Sequence, residues 1–218
     1  MHPNPAFRQT SEDTAIAIAR ARGFGILTAA GPEGPLASHI PFRLGETGHT
    51  EPRAEALEAE AHLVRSTALA RHLRRGPLPA LLIVSGPDGY ISPDWYGEDD
   101  KVPTWNYVAI HLSGTLRLDE EADMRSHLDR LSAQFEARLA PKPVWTADKM
   151  RPETLEGMMR SIVPVRLAVS SVASTIKLNQ NRSESARLGA ADALAAGGTP
   201  GSETAALATL MRNTKESG

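Results

Sequence analysis

Residues 104–119 constrain the fold of this chain more than any other stretch. Val108, Ile110, Leu112, Leu116 and Leu118 fall on one face of an extended segment, and Trp105, Tyr107, His111 and Arg117 fall on the other. A strand of that length with one apolar face has to cover a core. Other segments repeat the signal. Phe24–Ala30 and Pro35–Phe42 flank the turn Gly31-Pro32-Glu33-Gly34 and read as an antiparallel hairpin. Leu57, Ala59, Ala61 and Leu63 alternate with polar or acidic neighbours, Ala80–Val84 is a continuous apolar run, and Val163, Val165, Leu167 and Val169 alternate again.

Helices are predicted between these strands. Residues 11–22 form a short one with Ser11 or Thr10 as N-cap, and residues 66–75 a basic one ended by Gly76-Pro77. Asp119 reads as the cap of a long helix carrying Met124, Leu128, Leu131, Phe135 and Leu139, with a further helix at about 152–161. Residues 44–53 are polar and turn-rich and read as a loop. After Lys177–Arg182 the chain becomes Ala-rich and helical, breaks at Gly197–Gly201, and resumes as a last helix at about 202–212. Strands in runs joined by tight turns argue for a small antiparallel barrel over a doubly wound parallel sheet. The expected class is mainly β with peripheral helices (α+β). A barrel domain with inserted helices spans 1–178, and a helical extension over 179–218 packs on the same domain.

Absences narrow the chemistry. The sequence has no cysteine, which removes disulfides, thiolate metal sites and a Cys nucleophile. No glycine-rich nucleotide loop, HExxH helix or GxSxG elbow is present, and no metal site is expected. The formal charge of −2 does not favour DNA binding by the chain alone, and the final helical pair carries few cations for it. The N-terminus does not read as a signal peptide and no apolar run is long enough for a membrane span, so a cytoplasmic protein is expected.

The informative segments are polar and aromatic. Gly86–Tyr96 and Val102–Tyr107 together hold five of the six Trp and Tyr residues of the chain. Rings with a polar handle suit a planar ligand, and they also suit the closed end of a barrel. In Ala37-Ser38-His39-Ile40-Pro41, strand alternation puts Ser38 and His39 on opposite faces. His62 with Arg65 could grip a phosphate or make surface salt bridges. Lys177-Leu178-Asn179-Gln180-Asn181-Arg182 packs two cations and three amides into one turn-like run, suited to phosphate or to a solvated loop.

Taken in order, Phe7, A37-S38-H39-I40-P41, H62-x-x-R65, Y90-I91-S92-P93-x-W95-Y96, V102-P103-T104-W105-N106-Y107 and K177-x-x-Q180-N181-R182 resemble the PaiB-like family of FMN-binding negative transcriptional regulators. The resemblance implies a split β-barrel of the FMN-binding type, related to pyridoxamine-phosphate oxidases and flavin reductases. It implies a homodimer with FMN at the subunit interface. The cofactor-binding positions it implies are Ser38, His39, His62, Arg65, Tyr90, Ser92 and Trp95, then Thr104, Trp105, Asn106 and Tyr107, and finally Lys177, Gln180, Asn181 and Arg182. The isoalloxazine is expected near Trp105 and Tyr107, and the phosphate near Arg65, Lys177 and Arg182. Three positions depart from the family pattern: Thr67 for Asn, Asp88 for His and Asn179 for Ser. Two roles follow from the resemblance. One is a flavin-binding regulator or redox sensor; the other is an FMN-dependent oxidoreductase or flavin reductase using NAD(P)H, with His39 or Tyr90 available as acid or base.

Overall fold

The computed structural model describes residues 1–46, 57–198 and 202–215. Among these, six strands close into a barrel: β1 (Phe24–Gly31), β2 (Gly34–Glu46), β3 (Leu57–Val64), β4 (Leu78–Ile91), β5 (Thr104–Leu118) and β6 (Ile162–Lys177). Their order around the barrel is β1-β2-β3-β6-β5-β4. The helices are α1 (Glu12–Arg22), α2 (Ala68–Leu73), α3 (Met124–Glu136), α4 (Pro152–Arg160), α5 (Glu184–Ala196) and α6 (Thr204–Asn213). None of the described helices is long and apolar enough to cross a membrane. By contact density the chain forms two compact units, one of Met1–Ile18, Ser85–Ile110 and Ala173–Gly218, the other of Ala19–Val84 and His111–Val172.

The second unit is built on antiparallel pairing. The β1–β2 hairpin runs from Phe24↔Pro41 to Gly31↔Gly34 across Pro32-Glu33, and Gly34 supplies the φ of +134° that the tight turn needs. β2 continues past Pro41 as far as Glu46, because Phe42 and Leu44 are both buried and pair with Ala61 and Ala59. The loop expected at 44–53 therefore begins later, and its remainder lies outside the described residues. β3 buries Leu57, Ala59, Ala61 and Leu63 on one face. Its other face is a charge ladder: Glu60 meets Arg43 at 3.2 Å and Arg130 at 3.3 Å, while Glu58 pairs with Arg166.

Asp119 does not cap α3. Its carboxylate accepts from Arg166 at 2.7 Å, and the cap is Asp123, which accepts from the backbone N–H groups of Arg125 and Ser126. The substitution of roles has a plain cause: Arg166 on β6 is held by Glu58 and Asp119 together, a tertiary demand that local capping signals do not reveal.

The first unit has its own core. Ile91, Tyr96, Leu178, Leu194, Leu207 and Met211 pack with Ala186, Ala190 and Ala191 of α5. The small residues let α5 approach the short helical turn Pro93–Tyr96 closely: a Cβ on Gly189 would lie 2.8 Å from the Trp95 carbonyl oxygen. Buried Arg187 closes α6 by donating to the Met211 and Arg212 carbonyls, the groups a helix C-terminus leaves open.

Candidate functional site

In the first unit three stretches converge. β4 ends at Tyr90-Ile91, and Ser92 caps the turn Pro93–Tyr96 by accepting from the Asp94 N–H. β5 opens with Thr104-Trp105-Asn106-Tyr107. β6 delivers Lys177, after which Asn179 takes a left-handed conformation at φ 62° and turns the chain, closed by the Arg182 N–H donating to the Asn179 carbonyl. Gln180 pins this turn. Its side-chain oxygen accepts from the Leu178 N–H at 2.7 Å, and its amide donates to the carbonyls of Ile176 and Ala6.

The turn presents two cations. The Lys177 ammonium donates to the Thr104 hydroxyl and lies 5.8 Å from the centre of the Phe7 ring, and the Arg182 guanidinium lies 5.3 Å above the Tyr96 ring. Burial holds the Lys177 ammonium below its usual range, and the neighbouring positive charge of Arg182 lowers it further. Neither cation makes a salt bridge to a carboxylate among the described residues. Beside them are exposed rings: Trp105 is 47% and Tyr90 37% accessible, and the two meet edge to face at 6.4 Å.

The remaining motif residues of this unit divide by role. Asn106 is fully buried, its amide donating to the Met211 sulfur at 3.5 Å, while its carbonyl oxygen has no hydrogen-bond partner. Trp95 packs against the core, Tyr107 is half-buried and Asn181 is exposed. Burial pushes the Tyr96 phenol up, against the pull of Asn179 and Arg182. The Tyr96 hydroxyl and the Asn179 amide nitrogen are buried beside each other, and the Asn106 carbonyl oxygen and Arg187 Nε are buried without hydrogen-bond partners in this unit. Asp88, one of the departures from the family pattern, accepts from the Ser202 hydroxyl at 3.3 Å.

Four sequence-predicted residues belong to the other unit. Ser38 and His39 sit on β2 opposite Leu27 and Ile26, and the exposed His39 ring stacks 6.4 Å from Phe24. His62 meets His127 of α3, Nδ1 to Nε2 at 3.1 Å. Burial lowers both imidazoles, and His127, with His62 also pushing it down, falls to about 4. The Arg65 guanidinium donates to the carbonyls of Arg160 at 3.0 Å and Ile162 at 2.8 Å. Thr67 caps α2, with its hydroxyl accepting from the Ala70 N–H. Phe7 and Tyr96, the rings beneath the two cations, were legible in the motifs as aromatics but not as supports for Lys177 and Arg182.

These residues fit FMN. A phosphate dianion needs cations not locked into salt bridges, which Lys177 and Arg182 supply with the Thr104 hydroxyl and the Asn181 amide nearby in the chain. Glu98, the carboxylate whose charge Arg182 feels, is itself bridged to Lys101 at 3.3 Å. A planar ring needs exposed aromatic surface, which Trp105 and Tyr90 supply.

Known proteins bear out the fold and the family. The chain is similar to the Bacillus subtilis protease synthase and sporulation protein PAI 2, 26% identical over 188 residues that cover 82% of this chain and 81% of that protein. An uncharacterized protein of Saccharomyces cerevisiae is 32% identical over 125 residues, covering 53% of this chain and 70% of its own length. Among solved structures, an FAD and heme binding protein from Mycobacterium smegmatis superposes with a TM-score of 0.53 at 18% identity, covering 78% of this chain and 73% of that one. A flavocytochrome from Azotobacter vinelandii gives 0.52 at 15% identity, covering 81% and 72%. The expected antiparallel barrel is thus the fold observed. The profile of the family described as "Putative FMN-binding domain" matches residues 1–171, and the chain belongs to that family, whose cofactor is FMN.

Proposed function

We propose that the protein is an FMN-binding regulatory protein in which Lys177 and Arg182 hold the flavin phosphate. One observation carries this reading: two neighbouring half-buried cations make no salt bridge among the described residues, although Arg182 feels the charge of Glu98. Burial and mutual repulsion both disfavour charge on Lys177, and a bound phosphate dianion would relieve the repulsion. Trp105 and Tyr90 would face the isoalloxazine, the group that supplies electron-transfer chemistry when FMN is bound. A regulatory role is supported by the similarity to PAI 2 of Bacillus subtilis, a protein named for protease synthesis and sporulation. The reading includes a cytoplasmic homodimer, with a second copy completing the flavin site.

The oxidoreductase reading is favoured by one feature, the Tyr90 phenol, whose accessible ring beside Trp105 would put a proton donor near the flavin. Steady-state oxidation of NAD(P)H above the rate of free FMN would select that role; a bound flavin without turnover would select the regulatory one.

The phosphate assignment is tested by comparing FMN with riboflavin, which lacks the phosphate. The wild type should bind FMN at least ~10-fold more tightly, or about 1.4 kcal/mol. Lys177→Gln and Arg182→Gln should each erase most of that preference while leaving riboflavin affinity unchanged. Equal affinities of both ligands for the wild type, or an undiminished preference in both variants, would show that the phosphate lies elsewhere.

A further inference from the structure

In the unit formed by Ala19–Val84 and His111–Val172, some arginines are held by carboxylates and others, such as Arg65 and Arg138, by backbone carbonyls. Arg43, Arg117, Arg125, Arg130, Arg160 and Arg166 each reach a carboxylate. The exposed arginines at the C-terminal end of α2, Arg71 within it and Arg74 and Arg75 just past it, reach no carboxylate among the described residues. The Arg71 guanidinium donates to the Ser66 carbonyl, and Arg74 and Arg75 make no ion pair or side-chain hydrogen bond among the described residues. Positions 71, 74 and 75 are three and four apart, and the Arg75 N–H still donates to the His72 carbonyl, so the three side chains share one face.

Beside that face lies a cleft of about 370 Å³ between α2 and the β1–β2 turn, walled by Arg71, His72 and Arg75 over Pro32, Pro35 and Leu36. Glu33 is the carboxylate at its edge and pairs with none of the three arginines. A six-residue helix gains from a cation or two in its last turn, but a third at this spacing adds repulsion. Such a cluster is what an anionic partner would neutralise. No Phe, Tyr or Trp lines the cleft, so it offers no ring on which an unpaired base could stack.

We propose that the Arg71–Arg75 face of α2 contacts the phosphodiester backbone of double-stranded DNA. Guanidinium groups match phosphate oxygens in pairs, and contacts of this kind set position and affinity without reading sequence. The proposal rests on the regulatory reading above, and it relocates any DNA contact away from the C-terminal helices. There Arg187 is buried and Arg212 is bonded to Asp192 at 2.8 Å.

The test uses the full chain and a fluorescent duplex of mixed sequence, about 24 base pairs long, titrated by anisotropy between about 50 and 200 mM salt. The wild type should bind with steep salt dependence. Replacing Arg71, Arg74 and Arg75 by Gln together should weaken binding at least ~10-fold and reduce the log–log salt slope by about 3, near 0.9 per lost phosphate contact. Replacing all three by Lys, which keeps the charge and the fold, should restore most of the salt slope. FMN titration of the same variants separates the two claims: flavin binding should be unchanged by either triple substitution. No binding of duplex by the wild type, the same affinity and slope in the Gln variant, or tighter binding of a single strand of equal length would each overturn the proposal. Loss of FMN binding with DNA binding intact would instead count against the flavin assignment alone.

Discussion

Lys177 and the His62–His127 pair show how differently two sets of titratable groups can be placed. Lys177 is desolvated beside a second cation and has only the Thr104 hydroxyl and the Phe7 ring for company, an arrangement that suits an anion. The two imidazoles satisfy one another, one donating and the other accepting, which requires that they not both be charged. His127 titrates at about 4 in the fold against 6.5 for the ordinary imidazole. A depressed value means that the fold favours the neutral ring, so its stabilising contribution is complete above about pH 6.5 and is lost as pH falls toward 4. Denaturant unfolding at pH 7.5 and pH 4.5 should show a loss of about 2 kcal/mol from this ring. His127→Gln should remove most of that difference; a variant with the same pH dependence as the wild type would place the loss on other groups.

At the scale of elements, the start of α3 decides between two aspartates. Asp123→Ala removes a cap and should cost about 1 kcal/mol. Asp119→Ala leaves Arg166 short of a partner at a largely buried site and should cost more, about 2–3 kcal/mol. Thermal or urea unfolding of the two variants checks the order; a larger loss at Asp123 would reverse the roles. Both residues precede the helix, and local capping rules admit either. What separates them is Arg166, 47 residues away on β6, which no local pattern contains. β4 was legible for a similar reason only in part. The apolar run that marks the strand covers only Ala80–Val84, yet the strand runs from Leu78 through Gly86, Pro87 and Gly89 to Ile91. A Cβ on Gly86 would come within 2.9 Å of Val108, and one on Gly89 within 3.1 Å of Leu207, so these glycines serve close packing within the strand.

For the molecule as a whole, the alternation of β3, β5 and β6 and the β1–β2 hairpin were readable because each strand buries one face, and they suffice to indicate an antiparallel barrel. The candidate site was readable in its aromatic and cationic residues but not in their division of labour. Lys177, Arg182, Trp105 and Tyr90 remain available to a ligand, whereas Asn106 is engaged by Met211 and Gln180 by the backbone carbonyls of Ile176 and of Ala6, the latter distant in sequence. His62 and Arg65 are likewise engaged by His127, Arg160 and Ile162, partners that only the fold supplies. The central claim is that this barrel holds FMN, and an equilibrium titration of FMN with the purified full chain tests it most directly. Saturable quenching of flavin fluorescence, reaching one FMN per chain, is the expected result. A flavin signal that does not saturate, indistinguishable from free FMN at every protein concentration, would contradict it.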